Sequence, residues 1–168
     1  VDHIGYNARL DTLQAAIILA KFKYIDNLNE RRRKIAGIYN RELSGIEDLI
    51  LPITPHSLFI TSHVYHQYTV RVLKGKRDDL QTHLKGKGVP TMIYYPVPLH
   101  MMKVFEGRGK IFENLKESER AVKEVLSLPI EPLMGIEDVM LVVREIKSFF
   151  AESKINNEFS LLLLCSWY

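Results

Sequence analysis

Gly5-Tyr6-Asn7-Ala8-Arg9-Leu10-Asp11-Thr12-Leu13-Gln14-Ala15-Ala16 is the stretch on which the reading of the whole chain turns. Gly5 permits a backbone turn that a Cβ would hinder. Asn7 is a favoured N-cap type, and Asp11 puts a carboxylate where the helix dipole favours one. Leu10, Leu13, Ile17, Ala20, Tyr24 and Leu28 then recur at three- and four-residue steps, which predicts an amphipathic helix. Asn7 and Arg9 therefore sit where backbone N–H groups already favour a phosphate or carboxylate. A capped helix with a surface arginine accounts for the same spacing and is the commoner case.

Outward from this stretch, the pattern predicts a helix from about Leu10 to about Leu43, kinked near Asn27 to Asn29 and stopped at Ser44-Gly45. Leu49 to Ile53 reads as a short edge strand, since Pro52 cannot donate to a ladder. Thr54 to Ser62 reads as a loop. His63 to Val72 alternates as a strand, with Val64, His66, Tyr68, Val70 and Val72 on one face. After a turn at Lys74-Gly75-Lys76, Asp78 or Asp79 starts a short helix through Leu80 and Leu84, closed by Gly86 and Gly88. Thr91 to Tyr95 is a further β-favouring run, ended by Pro96-Val97-Pro98. Met101 to Phe112 is irregular. Leu115 to Leu126 reads as a helix with Leu115, Ala121, Val122, Val125 and Leu126 inward, and Leu128 to Ile130 as extended. Gly135 to Phe150 is the last helix, with Ile136, Val139, Met140, Val143, Ile146 and Phe150 on its inner face. Three or four short strands with helices before, between and after them predict an α+β fold on an antiparallel or mixed sheet.

The 168 residues suffice for one buried core. A net charge of +3, spread along the chain without aromatic interleaving, argues against nucleic acid. The run Arg31-Arg32-Arg33-Lys34 reads as a solvated helix face. The single cysteine, Cys165, excludes an intrachain disulfide and suits a reducing, cytoplasmic compartment. The opening residues carry no signal-peptide pattern. Leu161 to Leu164 is far shorter than the ~20 residues a membrane span needs, so no membrane partner is expected. Residues 151–168 read as an atypical apolar tail, either a native extension or an added or read-through segment. No metal is expected. His63 and His66 would fall on opposite strand faces, and no thiolate or carboxylate stands near them. His66, on the apolar face, reads as a hydrogen-bonded core residue.

Four segments in order carry a resemblance. They are the opening stretch; His63-Val64-Tyr65-His66-Gln67-Tyr68-Thr69-Val70-Arg71; Pro90-Thr91-Met92-Ile93-Tyr94-Tyr95-Pro96-Val97-Pro98-Leu99-His100; and Leu126-Ser127-Leu128-Pro129-Ile130-Glu131-Pro132. Together they resemble the DegT/StrS-type nucleotide-sugar aminotransferases, pyridoxal-phosphate enzymes of the aspartate-aminotransferase fold. The resemblance implies that residues 1–150 are the C-terminal small domain. The large cofactor-binding domain and its Schiff-base lysine would then lie upstream, so no catalytic residue is assigned in this chain and the fragment alone is expected to be inactive. It assigns Asn7 to the phosphate of pyridoxal 5'-phosphate in a neighbouring subunit, and Arg9, Tyr94, Tyr95 and His100 to substrate. Some members carry histidine where Tyr94 stands. The implied reaction moves an amino group from an amino acid, usually glutamate, to a nucleotide-linked keto-sugar in a homodimer with shared sites, for surface polysaccharide or amino-sugar biosynthesis. Two alternatives stay open. One is a sugar dehydratase of the same family, with histidine replacing the upstream lysine. The other is a non-catalytic module acting in dimerisation or regulation.

Overall fold

A computed structural model describes residues 10–52, 63–107, 110 and 114–165, with side chains described as far as residue 155. Asn7 and Arg9, and the expected loop over residues 54–62, lie outside the described residues. The helices are α1 (Thr12–Phe22), α2 (Ile25–Leu43), α3 (Arg77–Gly86), α4 (Lys116–Glu124) and α5 (Ile136–Cys165). The strands are β1 (Leu49–Ile50), β2 (Tyr68–Val72) and β3 (Val125–Leu128), and two 3₁₀ turns lie at Leu99–Met101 and Lys103–Phe105. The α+β class is as expected. Among the described residues all strand pairs are antiparallel, in the order β1-β2-β3, with Leu49 opposite Val72 and Val70 opposite Leu126.

The expected long N-terminal helix is two helices. Asp11, not Asn7, caps α1: its Oδ1 accepts from the N–H groups of Leu13 (2.9 Å) and Gln14 (3.0 Å). α1 ends where the Tyr24 N–H turns back to the Lys21 carbonyl (2.9 Å), the three-residue closure that tightens a last helical turn. α2 restarts at once, with the Leu28 N–H on the Tyr24 carbonyl, so the break falls earlier than Asn27.

The core forms where β2 presents Tyr68, Val70 and Val72 on one face, the half of the predicted alternation that the structure keeps. Against it pack Ile35, Ala36, Tyr39 and Leu43 of α2, Leu80 and Leu84 of α3, and Val139, Val142, Val143 and Ile146 of α5. Two tyrosines hold this layer in register. Tyr39 donates its hydroxyl to the Pro129 carbonyl (2.8 Å), and Tyr68 donates to Asn40 Oδ1 (2.6 Å). Burial pushes both phenols above their ordinary pKa. On the opposite face of the sheet Thr69 meets Ser127 (2.8 Å) and Arg71 grips Glu124.

Several expectations fail for local reasons. The strand does not begin at His63. Tyr65 has φ 49° and gives its N–H to His63 Nδ1 (3.0 Å), a side-chain bond that competes with a ladder. Tyr65 and Tyr68 are both buried, a three-residue offset that breaks the two-residue period. His66 is consequently exposed and is no core residue. Thr91 to Tyr95 is not a strand: only Met92 pairs, with Ser127, and proline stands on both sides of the run. β3 starts at Val125 because the Arg77 guanidinium takes the Val122 (3.0 Å) and Val125 (3.2 Å) carbonyls and so ends α4. Leu115 is left exposed. The turn at Lys74-Gly75 has φ 56° and 72°, and Gly88 (φ 75°) leaves α3 in the left-handed region that glycine tolerates. In α5 the inner face includes Val142, whereas Ile136 (72% exposed) and Met140 (40%) face outward. α5 also does not end at Phe150. No glycine or proline follows Gly135, and the helix runs on to Cys165. Among the described residues, no helix is long and apolar enough to cross a membrane.

Candidate functional site

The structure divides the expected substrate residues between two clefts. Tyr94 lines the first, of about 350 Å³, between the middle of α2, the segment before β2 and the chain leaving β3. Arg32, His66 and Gln67 supply its polar wall, and Pro90, Met92, Ile130 and Pro132 its apolar floor. Tyr95 and His100 line the second, of about 590 Å³, against Leu115, Ser118 and Val122 at the head of α4. The Tyr94 and Tyr95 rings lie edge to face, with centroids 6.0 Å apart, one lining each cleft. The peptide joining them is cis.

Each cleft follows from local sequence. Pro90 and Pro96 leave the segment between them unable to complete a ladder. Met92 alone is pinned, donating to the Ser127 carbonyl (3.1 Å) and accepting from its N–H (2.7 Å). Tyr94 and Tyr95 are therefore released from the sheet edge rather than folded into it. In the second cleft His100 Nε2 lies 3.1 Å from Glu119 Oε1, which orients the ring toward α4. The lining there is otherwise mainly apolar, and a ligand would meet hydrocarbon with one imidazole at the rim.

The first cleft differs in charge. Arg32 is half-buried, and among the described residues its guanidinium bonds only to Asn29 Oδ1, through Nη1 (3.3 Å). Among the described residues it pairs with no carboxylate. Among the described residues the side chains of His66, Gln67 and Tyr94, which share this lining, make no hydrogen bond. Glu131 is engaged, accepting the Leu133 N–H through Oε2 (2.6 Å). The basic run 31–34 is thus not uniformly a solvated face: its second member turns inward. The sequence signal was available in position, since Arg32 precedes the buried Ile35-Ala36 pair by three and four residues on the same helix face.

The groups with displaced acidities lie elsewhere and are structural. The Asp48 carboxyl is held below its ordinary value first by the hydrogen bond from Lys76 (2.8 Å) and then by that from Lys74 (2.9 Å). The Lys74 ammonium is raised in return. Glu42 is lowered by its bonds from Lys147 and Arg41. Among the described residues no three His, Cys, Asp or Glu side chains gather as a metal site would require.

Comparison with known proteins assigns this fold. The chain is 45% identical over 148 residues to a "Pleiotropic regulatory protein" of Geobacillus stearothermophilus, covering 88% of this chain and 39% of that protein. It is 33% identical to the dTDP-3-amino-3,4,6-trideoxy-alpha-D-glucose transaminase of Streptomyces venezuelae, covering 86% of this chain and 37% of the relative. The X-ray structure of S. venezuelae DesV superposes with a TM-score of 0.78 at 32% identity, over 89% of this chain and 39% of that one. The chain therefore spans about two-fifths of the length of these relatives. Residues 1–147 match the DegT/DnrJ/EryC1/StrS aminotransferase family, and the chain belongs to that family.

Proposed function

We propose that residues 1–150 are the small C-terminal domain of a pyridoxal-phosphate aminotransferase that moves an amino group from an amino acid, glutamate, to a keto-sugar carried on a nucleotide. Residues 151–168 are an extension beyond that domain. The observation that carries the reading is the unbroken family match over residues 1–147, together with relatives named as sugar-nucleotide transaminases. Bound cofactor would supply the electron sink for amino-group transfer, and this chain would supply position and charge. Asn7 is the residue assigned to the cofactor phosphate, through its amide donor. Arg9 is assigned to an anionic group of the substrate. Tyr94, Tyr95 and His100 line the approach. The assembly is a homodimer with shared sites, in the cytoplasm.

The test uses the full-length protein. It should purify with the visible absorbance of bound pyridoxal phosphate and transfer ¹⁵N from labelled glutamate to a dTDP- or UDP-linked keto-sugar. Asn7→Ala should weaken cofactor binding by roughly 10- to 150-fold, the loss of one hydrogen bond to a charged group. Because Asp11 caps α1, the apo-protein should melt as wild type does. Unchanged cofactor affinity would remove Asn7 from the site. The name "Pleiotropic regulatory protein" on one relative favours a second reading, a regulatory module without catalysis. Neither bound cofactor nor transfer in the full-length protein would select it. Loss of water from the sugar, without amino transfer, would select the dehydratase.

A further inference from the structure

We propose that the cleft between α2 and the chain leaving β3 is an anion subsite for a hydroxyl-rich ligand, a sugar phosphate or a sugar acid, with Arg32 as its charged anchor. Arg32 on α2 and the adjacent pair His66 and Gln67 before β2, two segments more than thirty positions apart in sequence, line the same space. Among the described residues this half-buried guanidinium has no carboxylate partner to offset its desolvation, although the chain holds twenty acidic residues. A planar fork in this setting suits a phosphate or a carboxylate equally. The rest of the lining restricts the class. His66, Gln67 and Tyr94 bring polar groups that make no side-chain hydrogen bond among the described residues, and Glu131 uses only Oε2 for the Leu133 N–H among them. Pro90, Met92 and Ile130 give an apolar surface that suits the C–H face of a sugar ring. The volume of about 350 Å³ admits a monosaccharide with its anionic group.

The inference deepens the sugar-nucleotide reading by giving it a second anion-binding residue besides Arg9. It can fail independently of that reading. Met92 lies on the floor, so its ε-methyl carbon reports occupancy. Full-length protein carrying ¹³C-methyl methionine, with the Met92 signal assigned by Met92→Leu, would be titrated with glucose 1-phosphate, glucuronate and glucose. The Met92 signal should shift saturably with at least one of the two anions and not with glucose. Which anion acts separates a phosphate source from a carboxylate source. Arg32→Gln should weaken that binding about tenfold or more, and Arg32→Lys, which keeps the charge without the fork, should recover part of it. A melt of each variant checks folding, and Arg32→Lys keeps the test open if Arg32→Gln unfolds. An unmoved Met92 signal with both anions, an equal response to glucose, or unaltered affinity in Arg32→Gln would overturn the subsite. Loss of the subsite with amino transfer intact removes this inference alone. A responsive Met92 signal in a protein that transfers nothing supports the subsite and removes the aminotransferase reading.

Discussion

α1 and the three-stranded sheet are both built from apolar residues, but they dispose of them in opposite ways. Every core-facing residue of β2, from Tyr68 through Val70 to Val72, is fully buried, and β3 answers with Leu126 and Leu128. α1 buries nothing. Leu13, Leu19 and Phe22 stand 70%, 73% and 68% exposed, around a helix whose length would suit a core. Apolar patches of that extent on a soluble protein mark an interaction surface. Hydrophobic content alone therefore does not say what a segment packs against. In the sheet the two-residue period meets a partner within the chain. In α1 the three- and four-residue period meets none among the described residues.

The largest expected effect lies on the sheet side. Tyr39→Ala removes a ring packed 5.0 Å from that of Tyr68 and frees the Pro129 carbonyl. It should cost about 3–5 kcal/mol by denaturant unfolding, in line with large aromatic truncations in cores. A loss under about 1 kcal/mol would mean that the α2–sheet layer is not the core.

Next in size is the edge of the sheet, where Asp48 ties the turn after β2 to the approach to β1. Asp48→Asn should destabilise by about 1–2 kcal/mol at neutral pH, because it weakens two charge-assisted bonds of which only the Lys76 one is well shielded. The sign with pH is fixed. The folded carboxyl is depressed, so its stabilisation is present above the unfolded pKa near 3.8 and is lost as pH falls through the lower folded value. Wild type should lose stability over that acid window, and Asp48→Asn should show a shallower slope there. Equal slopes would assign the acid lability to other carboxylates.

These elements also show what could be read in advance. Buried periodicity was legible: the β2 alternation, the α3 pair Leu80 and Leu84, and the inner face of α5 around Val139, Val143 and Ile146 lie where spacing puts them. Boundaries set by side-chain-to-backbone bonds were not legible. Arg77 ending α4, His63 bending the chain at Tyr65 and Asp11 capping α1 all depend on which donor reaches which acceptor, and spacing does not fix that. Within the candidate site, Tyr94, Tyr95 and His100 were found because a resemblance named them. That they face two clefts, and that Arg32 enters one, depends on how α2 lies beside the chain leaving β3. Asn7 and Arg9 lie outside the described residues.

A smaller effect should separate local from global stability. Asp11→Ala removes the cap of α1, a change typically worth about 1 kcal/mol of helix stability. Because α1 adds nothing to the core, the global unfolding midpoint of the chain should stay put. Hydrogen exchange at the α1 amides should instead quicken by roughly fivefold, the factor that corresponds to about 1 kcal/mol of local opening. A shift of the global midpoint by the full cap energy would mean that α1 and the core unfold together.

The smallest expected stability change is also the sharpest test of the contrast. Leu13→Gln with Leu19→Gln replaces two exposed leucines on α1 by residues of similar helix propensity, so the helix itself should survive. If the α1 surface is unpartnered within the chain, stability should move by less than about 0.5 kcal/mol, the usual range for surface substitutions. The same pair in the core, Leu126 with Leu84, would be expected to unfold the protein. Association should respond instead. Exposed leucines at positions 10, 13 and 19, with Phe22, favour contact with a second apolar surface. The wild-type chain should therefore sediment as a concentration-dependent mixture, and the double variant should shift toward monomer at the same concentration. Unchanged sedimentation with unchanged stability would show that the α1 patch drives no self-association. A stability loss above about 1 kcal/mol would place α1 inside the chain's own core and erase the difference between the two regions.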